Sequence, residues 1–139
     1  MIYLASPWFN QEQEKARQDM IRVLTELELG FFSPKEFLVF DPSEPGMASI
    51  IFKTNVKYMD EADCFVVNTV GKDMGTIFEA GYAYAKGKDI IYYFPSDHKF
   101  NLMLSESANA VAQTPEEFKQ CLLDRQYNRD SLKYTGPLE

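Results

Sequence analysis

The 139-residue chain is 45% hydrophobic, with a formal net charge of −7 and a pI near 4.7. That length fits a single domain over residues 1–139, with enough apolar content to bury a core. The acidic balance and the lack of a basic run argue against a nucleic-acid or anionic-membrane surface. No apolar stretch approaches the roughly 20 residues that span a bilayer.

Met1-Ile2-Tyr3-Leu4 lacks the charged region that opens a signal peptide. Cys64 and Cys121 lie far apart, and Cys64 falls in an apolar run where a thiol serves as a small core residue. A reduced, cytoplasmic protein is the expectation. His98 cannot form a zinc site with these cysteines at any standard spacing, so no metal is expected.

Ile2-Tyr3-Leu4-Ala5, bounded by Ser6-Pro7, predicts the first strand. Asn10 caps a helix whose apolar face recurs at Ala16, Met20, Val23, Leu24 and Leu27, and Gly30 is expected to end it. Phe31-Phe32-Ser33-Pro34 reads as a short second strand with a breaker. Residues 35–46, with Pro42, Pro45 and Gly46, read as a loop. Met47, Ile50, Ile51, Thr54 and Tyr58 mark the next helix, ending near Glu61-Ala62.

Residues 63–68 predict the third strand, and residues 75–86 the helix after it, with Gly87-Lys88 as exit. Ile90-Ile91-Tyr92-Tyr93-Phe94 is the fourth strand, stopped by Pro95. A short helix is expected near Leu102–Ser105, and a fifth strand at Ala110-Val111-Ala112. Thr114-Pro115-Glu116-Glu117 is a strong helix start, with a threonine cap, a proline in the first turn and a glutamate three residues after the cap. The tail from Gln126 to Glu139 has no clear period. The alternation implies an α/β fold, a largely parallel sheet with helices on both faces. The glycines spell neither a dinucleotide fingerprint nor a P-loop, which disfavours nicotinamide, flavin and nucleotide-triphosphate chemistry.

The junction between the third strand and its helix, Asp73 to Ala83, is where such sheets bind ligands. It holds two carboxylates, Asp73 and Glu79. Glu79 reads in two ways. It is a helix glutamate favoured by the macrodipole, or a carboxylate nucleophile or base that the same dipole would keep ionised. Asp73 is either an N-cap or a second site carboxylate, since unlike environments let two carboxylates divide acid and nucleophile roles. Tyr3, Trp8 and Phe9 are either core aromatics or a hydroxyl that orients a carboxylate beside a wall for a flat ring. Asn55 lies on a helix and Asn101 in a loop within an apolar cluster. Each is a surface residue or a specific contact.

Together these stretches resemble the nucleoside 2-deoxyribosyltransferase family. The matching pieces are Ile2 to Phe9, Asp60-Glu61-Ala62-Asp63, the run Asp73-Met74-Gly75-Thr76-Ile77-Phe78-Glu79-Ala80-Gly81-Tyr82-Ala83, Gly87-Lys88 and Phe100-Asn101-Leu102-Met103. The tail matches weakly, through Tyr134-Thr135-Gly136. The resemblance implies a flavodoxin-like three-layer sandwich with a five-stranded, mostly parallel sheet, and no cofactor. Its implied activity is transfer of 2-deoxyribose between nucleobases by a retaining double displacement, with a 2′-deoxynucleoside and a free base as partners.

By the same resemblance Glu79 is the nucleophile at C1′, Tyr3 orients it and Asp73 binds the sugar hydroxyls. Trp8, Phe9, Asn55 and Gly75 line the substrate. Asn101 and Met103 reach the site of a neighbouring subunit, so a homo-oligomer is implied. The chain departs from the pattern at Asn55, where members carry an aspartate that protonates the leaving base, and at Glu139, where members can end in a tyrosine. Asp60, another group or water would then supply the proton, and Glu139 would substitute at the sugar. Two other readings stand beside transfer. One is hydrolysis of nucleosides or their 5′-monophosphates, with Ser105 and Ser107 as a phosphate cradle, although no arginine lies within residues 23–124. The other is a module that binds a base derivative without turnover.

Overall fold

A computed structural model describes residues 1–37 and 40–139. It contains one five-stranded sheet, and all four pairings are parallel. The strands are β1 (Ile2–Ala5), β2 (Phe31–Phe32), β3 (Cys64–Asn68), β4 (Asp89–Tyr93) and β5 (Ala110–Ala112), in the order β2-β1-β3-β4-β5. This is the flavodoxin-like order, whose topological switch point lies between β1 and β3. The central strands are buried on both faces, which is why they read as continuous apolar runs rather than alternating ones.

Helices α1 (Gln11–Glu26) and α6 (Pro115–Gln126) cover one face. Their Ala16, Met20, Leu24, Phe118 and Cys121 pack on Leu4, Val66 and Ile91. Helices α3 (Met47–Glu61) and α4 (Met74–Ala85) cover the other, where Met59, Ala62, Ala80 and Ala83 pack on Tyr3, Phe65 and Tyr92. Asn10 caps α1, accepting from the Gln13 N–H at 2.8 Å, and Thr114 caps α6, accepting from the Glu117 N–H at 3.1 Å. Both thiols are free and buried, and burial pushes the Cys64 thiol up to about 12. Among the described residues no helix is long and apolar enough to cross a membrane.

Several expectations need correction. The segment 35–46 is not all loop: a short helix α2 (Pro34–Phe37) occupies its start, and Leu38 and Val39 lie outside the described residues. Gly30 does not make the left-handed turn after α1. Glu28 does, at φ 56, while the Gly30 carbonyl already accepts from the Ile2 N–H at 3.2 Å. A 3₁₀ turn at Val70–Lys72 separates β3 from α4. The predicted short helix extends to become α5 (Leu102–Ser107). The tail is not featureless either: Phe100 and Leu138 form an isolated parallel bridge.

Candidate active site

The switch point opens a crevice between the β1–α1 loop and the β3–α4 loop. Tyr3 enters it from the middle of β1, fully buried between the rings of Phe32 and Phe65 at centroid distances of 5.6 and 5.0 Å. Glu79 comes from α4. This helix approaches the sheet through the small residues Ala80 and Ala83, both buried, and so carries Glu79 into the space beside Tyr3.

The two groups sense each other. Burial pushes the Glu79 carboxyl up to about 7, the Tyr3 hydroxyl pulls it down, and the charge on Asp73 adds to the rise. Burial likewise raises the Tyr3 phenol, and the charge of Glu79 raises it further. Tyr3 Oη and Glu79 Oε2 are both buried, yet neither completes a hydrogen bond among the described residues. Burial therefore works against the ionisation that the helix dipole is expected to favour. The dipole acts within the first turn, Glu79 lies beyond it, and desolvation is the largest influence on its carboxyl.

Asp73 caps α4. Its Oδ2 accepts from both the N–H and the hydroxyl of Thr76 at 2.9 Å. The two readings of Asp73 are thus compatible: Oδ2 holds the helix, while Oδ1 has no bond among the described residues. Gly75 is exposed at the start of α4, and a Cβ there would meet Asp73 Oδ2 at 3.5 Å, an ordinary contact.

Trp8 and Phe9 are not core aromatics. Trp8 is half-buried, Phe9 is 69% exposed, and their rings stand 5.2 Å apart at the end of β1. Asn55 is half-buried on α3, and its Oδ1 is a third buried polar atom without a partner. Asn101 caps α5, accepting from the Met103 and Leu104 N–H groups at 2.9 and 3.3 Å. Asn101 and Met103 are exposed, Met103 by 70%, so within one chain they are not gathered into the crevice.

Asp60 is not available as a proton donor at this site. It lies at the last turn of α3, beside the start of β4. There it accepts from the Tyr82 hydroxyl at 2.5 Å and its carbonyl accepts from Lys88 Nζ at 2.8 Å, at the opposite edge of the sheet from the crevice. Ser107 forms no phosphate cradle, since its Oγ is shared with the Tyr92 hydroxyl at 2.7 Å and the Leu104 carbonyl at 2.9 Å. Glu139 meets Lys72 at 3.0 Å, one residue before Asp73. A cavity of about 1070 Å³ lies on the α1 side, between Lys15, Thr69, Tyr93 and His98, and includes none of Tyr3, Asp73 or Glu79.

Sequence reasoning missed Gln13 and Asn68, which are 5% and 1% exposed at the back of the crevice. A signal for Gln13 existed: it falls on the same helical stripe as Ala16, Met20 and Leu24, where a polar side chain must find partners.

The model of the nucleoside 2-deoxyribosyltransferase family matches residues 2–121. Among solved structures, the chain is similar to a 2-deoxyribosyltransferase from the psychrotolerant bacterium Bacillus psychrosaccharolyticus. The two are 28% identical with a TM-score of 0.83, over 96% of this chain and 98% of that one. It also shares its fold with a conserved protein from Enterococcus faecalis V583, at 21% identity and a TM-score of 0.76 over 89% and 97% of the two chains. A CMP N-glycosidase from Clostridium botulinum shares the fold at 23% identity and a TM-score of 0.57, over 87% and 96%. No curated protein matches the chain. With the family's model covering β1 through most of α6, and a similar fold in a 2-deoxyribosyltransferase, the chain belongs to the nucleoside 2-deoxyribosyltransferase family.

Proposed function

We propose that the protein transfers the 2-deoxyribosyl group from a 2′-deoxynucleoside to a second nucleobase through a covalent deoxyribosyl-Glu79. The observation that carries this is the Glu79 carboxylate facing the Tyr3 hydroxyl beside Asp73, with Glu79 Oε2 and Tyr3 Oη both buried and neither in a well-formed hydrogen bond among the described residues. A carboxylate stripped of water and left without partners is a better nucleophile than a solvated one, provided it is ionised.

In the first step an oxygen of Glu79 forms a bond to C1′ and the N-glycosidic bond breaks, its electron pair leaving with the base. In the second step a ring nitrogen of the incoming base attacks C1′ and gives up its proton to water, and Glu79 departs as carboxylate. Two inversions give net retention. Tyr3 orients the attacking oxygen by donating its hydroxyl proton. Asp73 Oδ1, free of the helix cap, accepts from a sugar hydroxyl. Trp8 and Phe9 stack on the base.

Asn55 cannot act as an acid. Its unpartnered Oδ1 accepts a hydrogen bond from the base, and the leaving base takes its proton from water. Asn101 and Met103 complete the site of a neighbouring copy of the chain. Two facts support an assembly of this kind. Met74, Phe78, Phe52 and Met103 are exposed apolar side chains on α3, α4 and α5. Gly81 faces open space, with nothing within 4 Å of a Cβ, so nothing among the described residues explains a glycine there.

Incubation with thymidine and adenine tests the reading. Deoxyadenosine and free thymine are expected in equal amounts. Thymine without deoxyadenosine would make the protein a hydrolase, and unchanged thymidine would make it a binding module.

A further inference from the structure

A second buried polar cluster lies at the back of the crevice, and none of the roles above uses it. Asn68, the last residue of β3, donates from Nδ2 to Ser6 Oγ at 2.9 Å and to the Gln13 carbonyl at 3.1 Å. Its Oδ1 accepts from the Val70 N–H at 3.1 Å. Gln13, in the first turn of α1, accepts at Oε1 from the Phe9 N–H at 2.9 Å and donates from Nε2 to the Val70 carbonyl at 3.3 Å. Both polar ends of each amide are thus engaged, and each amide ties the β1–α1 loop to the β3–α4 loop.

The loop that carries Asp73 is shaped around this bracket. Gly71 and Lys72 take left-handed φ values of 79 and 51. A Cβ at Gly71 would stand 2.3 Å from Gln13 Nε2, well inside contact distance. The backbone of residues 70–72 therefore lies directly against the Gln13 amide, and the next residue is Asp73. On the other side the same amide holds Phe9, next to Trp8.

The geometry points to Gln13 and Asn68 as positioning residues that set the gap between the Trp8–Phe9 wall and the loop bearing Asp73. Neither needs to touch the substrate. Two main-chain segments far apart in sequence must hold a nucleoside between them, and loops without such ties drift on the scale that matters for reaction geometry. The kinetic part of this inference rests on the transfer reading; its spectroscopic part does not.

Trp8 is the one tryptophan in the chain, so its emission reports on one wall of the gap directly. The full chain carrying Gln13→Met, Gly71→Ala or Asn68→Ser is compared with wild type by Trp8 emission, acrylamide quenching, circular dichroism and thymidine–adenine exchange. Gln13→Met and Asn68→Ser serve if Gly71→Ala does not fold. The expected result is a red shift and easier quenching of Trp8 in every folded variant, including Gly71→Ala, whose substitution lies on the opposite loop. The kcat of the folded fraction falls about 10- to 100-fold, with a smaller change in the nucleoside KM. An unmoved Trp8 spectrum in folded variants overturns the inference, and so does a shifted spectrum with wild-type kcat. If wild type shows no exchange but the Trp8 shift appears, the bracket stands and the transfer reading falls.

Discussion

Two buried polar clusters in this molecule are built on opposite terms. On α1, Arg17 is 1% exposed and makes four hydrogen bonds. Its Nε and Nη2 meet the two oxygens of Glu14 at 3.0 and 2.8 Å, and its Nη1 meets Ser33 Oγ at 3.1 Å and Glu36 at 2.6 Å. Across the sheet, Tyr3 Oη, Glu79 Oε2 and Asn55 Oδ1 are buried, and among the described residues none has a well-formed hydrogen bond. Buried polar groups are normally satisfied. The first cluster obeys this rule and ties α2 to α1. The second breaks it with three atoms, the pattern expected where the missing partner is a substrate. On the transfer reading proposed above, the difference separates residues that serve the fold from residues that serve a reaction at the fold's expense.

The sharpest way to break the comparison is Glu79→Gln. Exchange between thymidine and adenine is expected to vanish, because an amide oxygen is no nucleophile at C1′. Stability should move the other way. An acid whose folded pKa is raised is costly to ionise, so Glu79 lowers stability as pH rises from about 4.5 to about 7, with no further loss above. Denaturant unfolding at pH 8 should therefore show the variant more stable by about 1–3 kcal/mol. Retained exchange, or a variant less stable at pH 8 than wild type, would contradict the assignment.

Arg17→Ala tests the other cluster. It removes a buried guanidinium whose partners Glu14 and Glu36 stay 28% and 45% exposed, and a loss of about 1–3 kcal/mol is expected in the same unfolding measurement. The pH dependence also has the opposite sign. The Arg17 guanidinium holds Glu14 down to about 2, so its contribution is whole above about 4.5 and disappears as pH falls toward 2. Wild type should lose stability over that acid range more steeply than Arg17→Ala. Parallel acid curves would show that the pair contributes little.

Tyr3→Phe is milder. It removes a hydroxyl that makes no well-formed hydrogen bond among the described residues, so the unfolding midpoint should hardly change. Exchange should slow by about 10-fold through lost orientation of Glu79. The acid limb of kcat/KM, expected near the Glu79 pKa of about 7, should move to higher pH, because the Tyr3 hydroxyl is what pulls that pKa down. A limb that stays in place would separate Tyr3 from Glu79. The smallest effect is expected from Asn55→Asp, which offers an acid toward the base. It should add a new limb to the pH profile of base release, and an unchanged profile would place Asn55 outside the chemistry.

Much of the fold was legible because its signals are local. Ala110-Val111-Ala112 is flanked by polar residues, and Thr114-Pro115 announces α6, so both elements are found where the sequence places them. The carboxylates of the site were legible for the same reason, from the small-residue helix that follows an apolar strand. What escaped depends on distant partners. α2 is held by the Arg17–Glu36 pair, which no local pattern reveals. The left-handed turn falls on Glu28 rather than Gly30 because Gly30 already begins the entry to β2. The ionisation of Glu79 follows from burial, which depends on packing against Tyr3, far away in sequence.

The outermost strands are also the shortest, two residues in β2 and three in β5, beside central strands of four and five. A sheet with such clipped rims offers little unpaired backbone to another chain, and long exposed rims are what seed strand addition. Sticking on storage or concentration should therefore begin at helix surfaces, where Phe52 and Phe78 stand 55% and 54% exposed, rather than at the sheet. Changes to the strands would therefore gain little, and a charge at Phe52 or Phe78 would also disturb the proposed assembly.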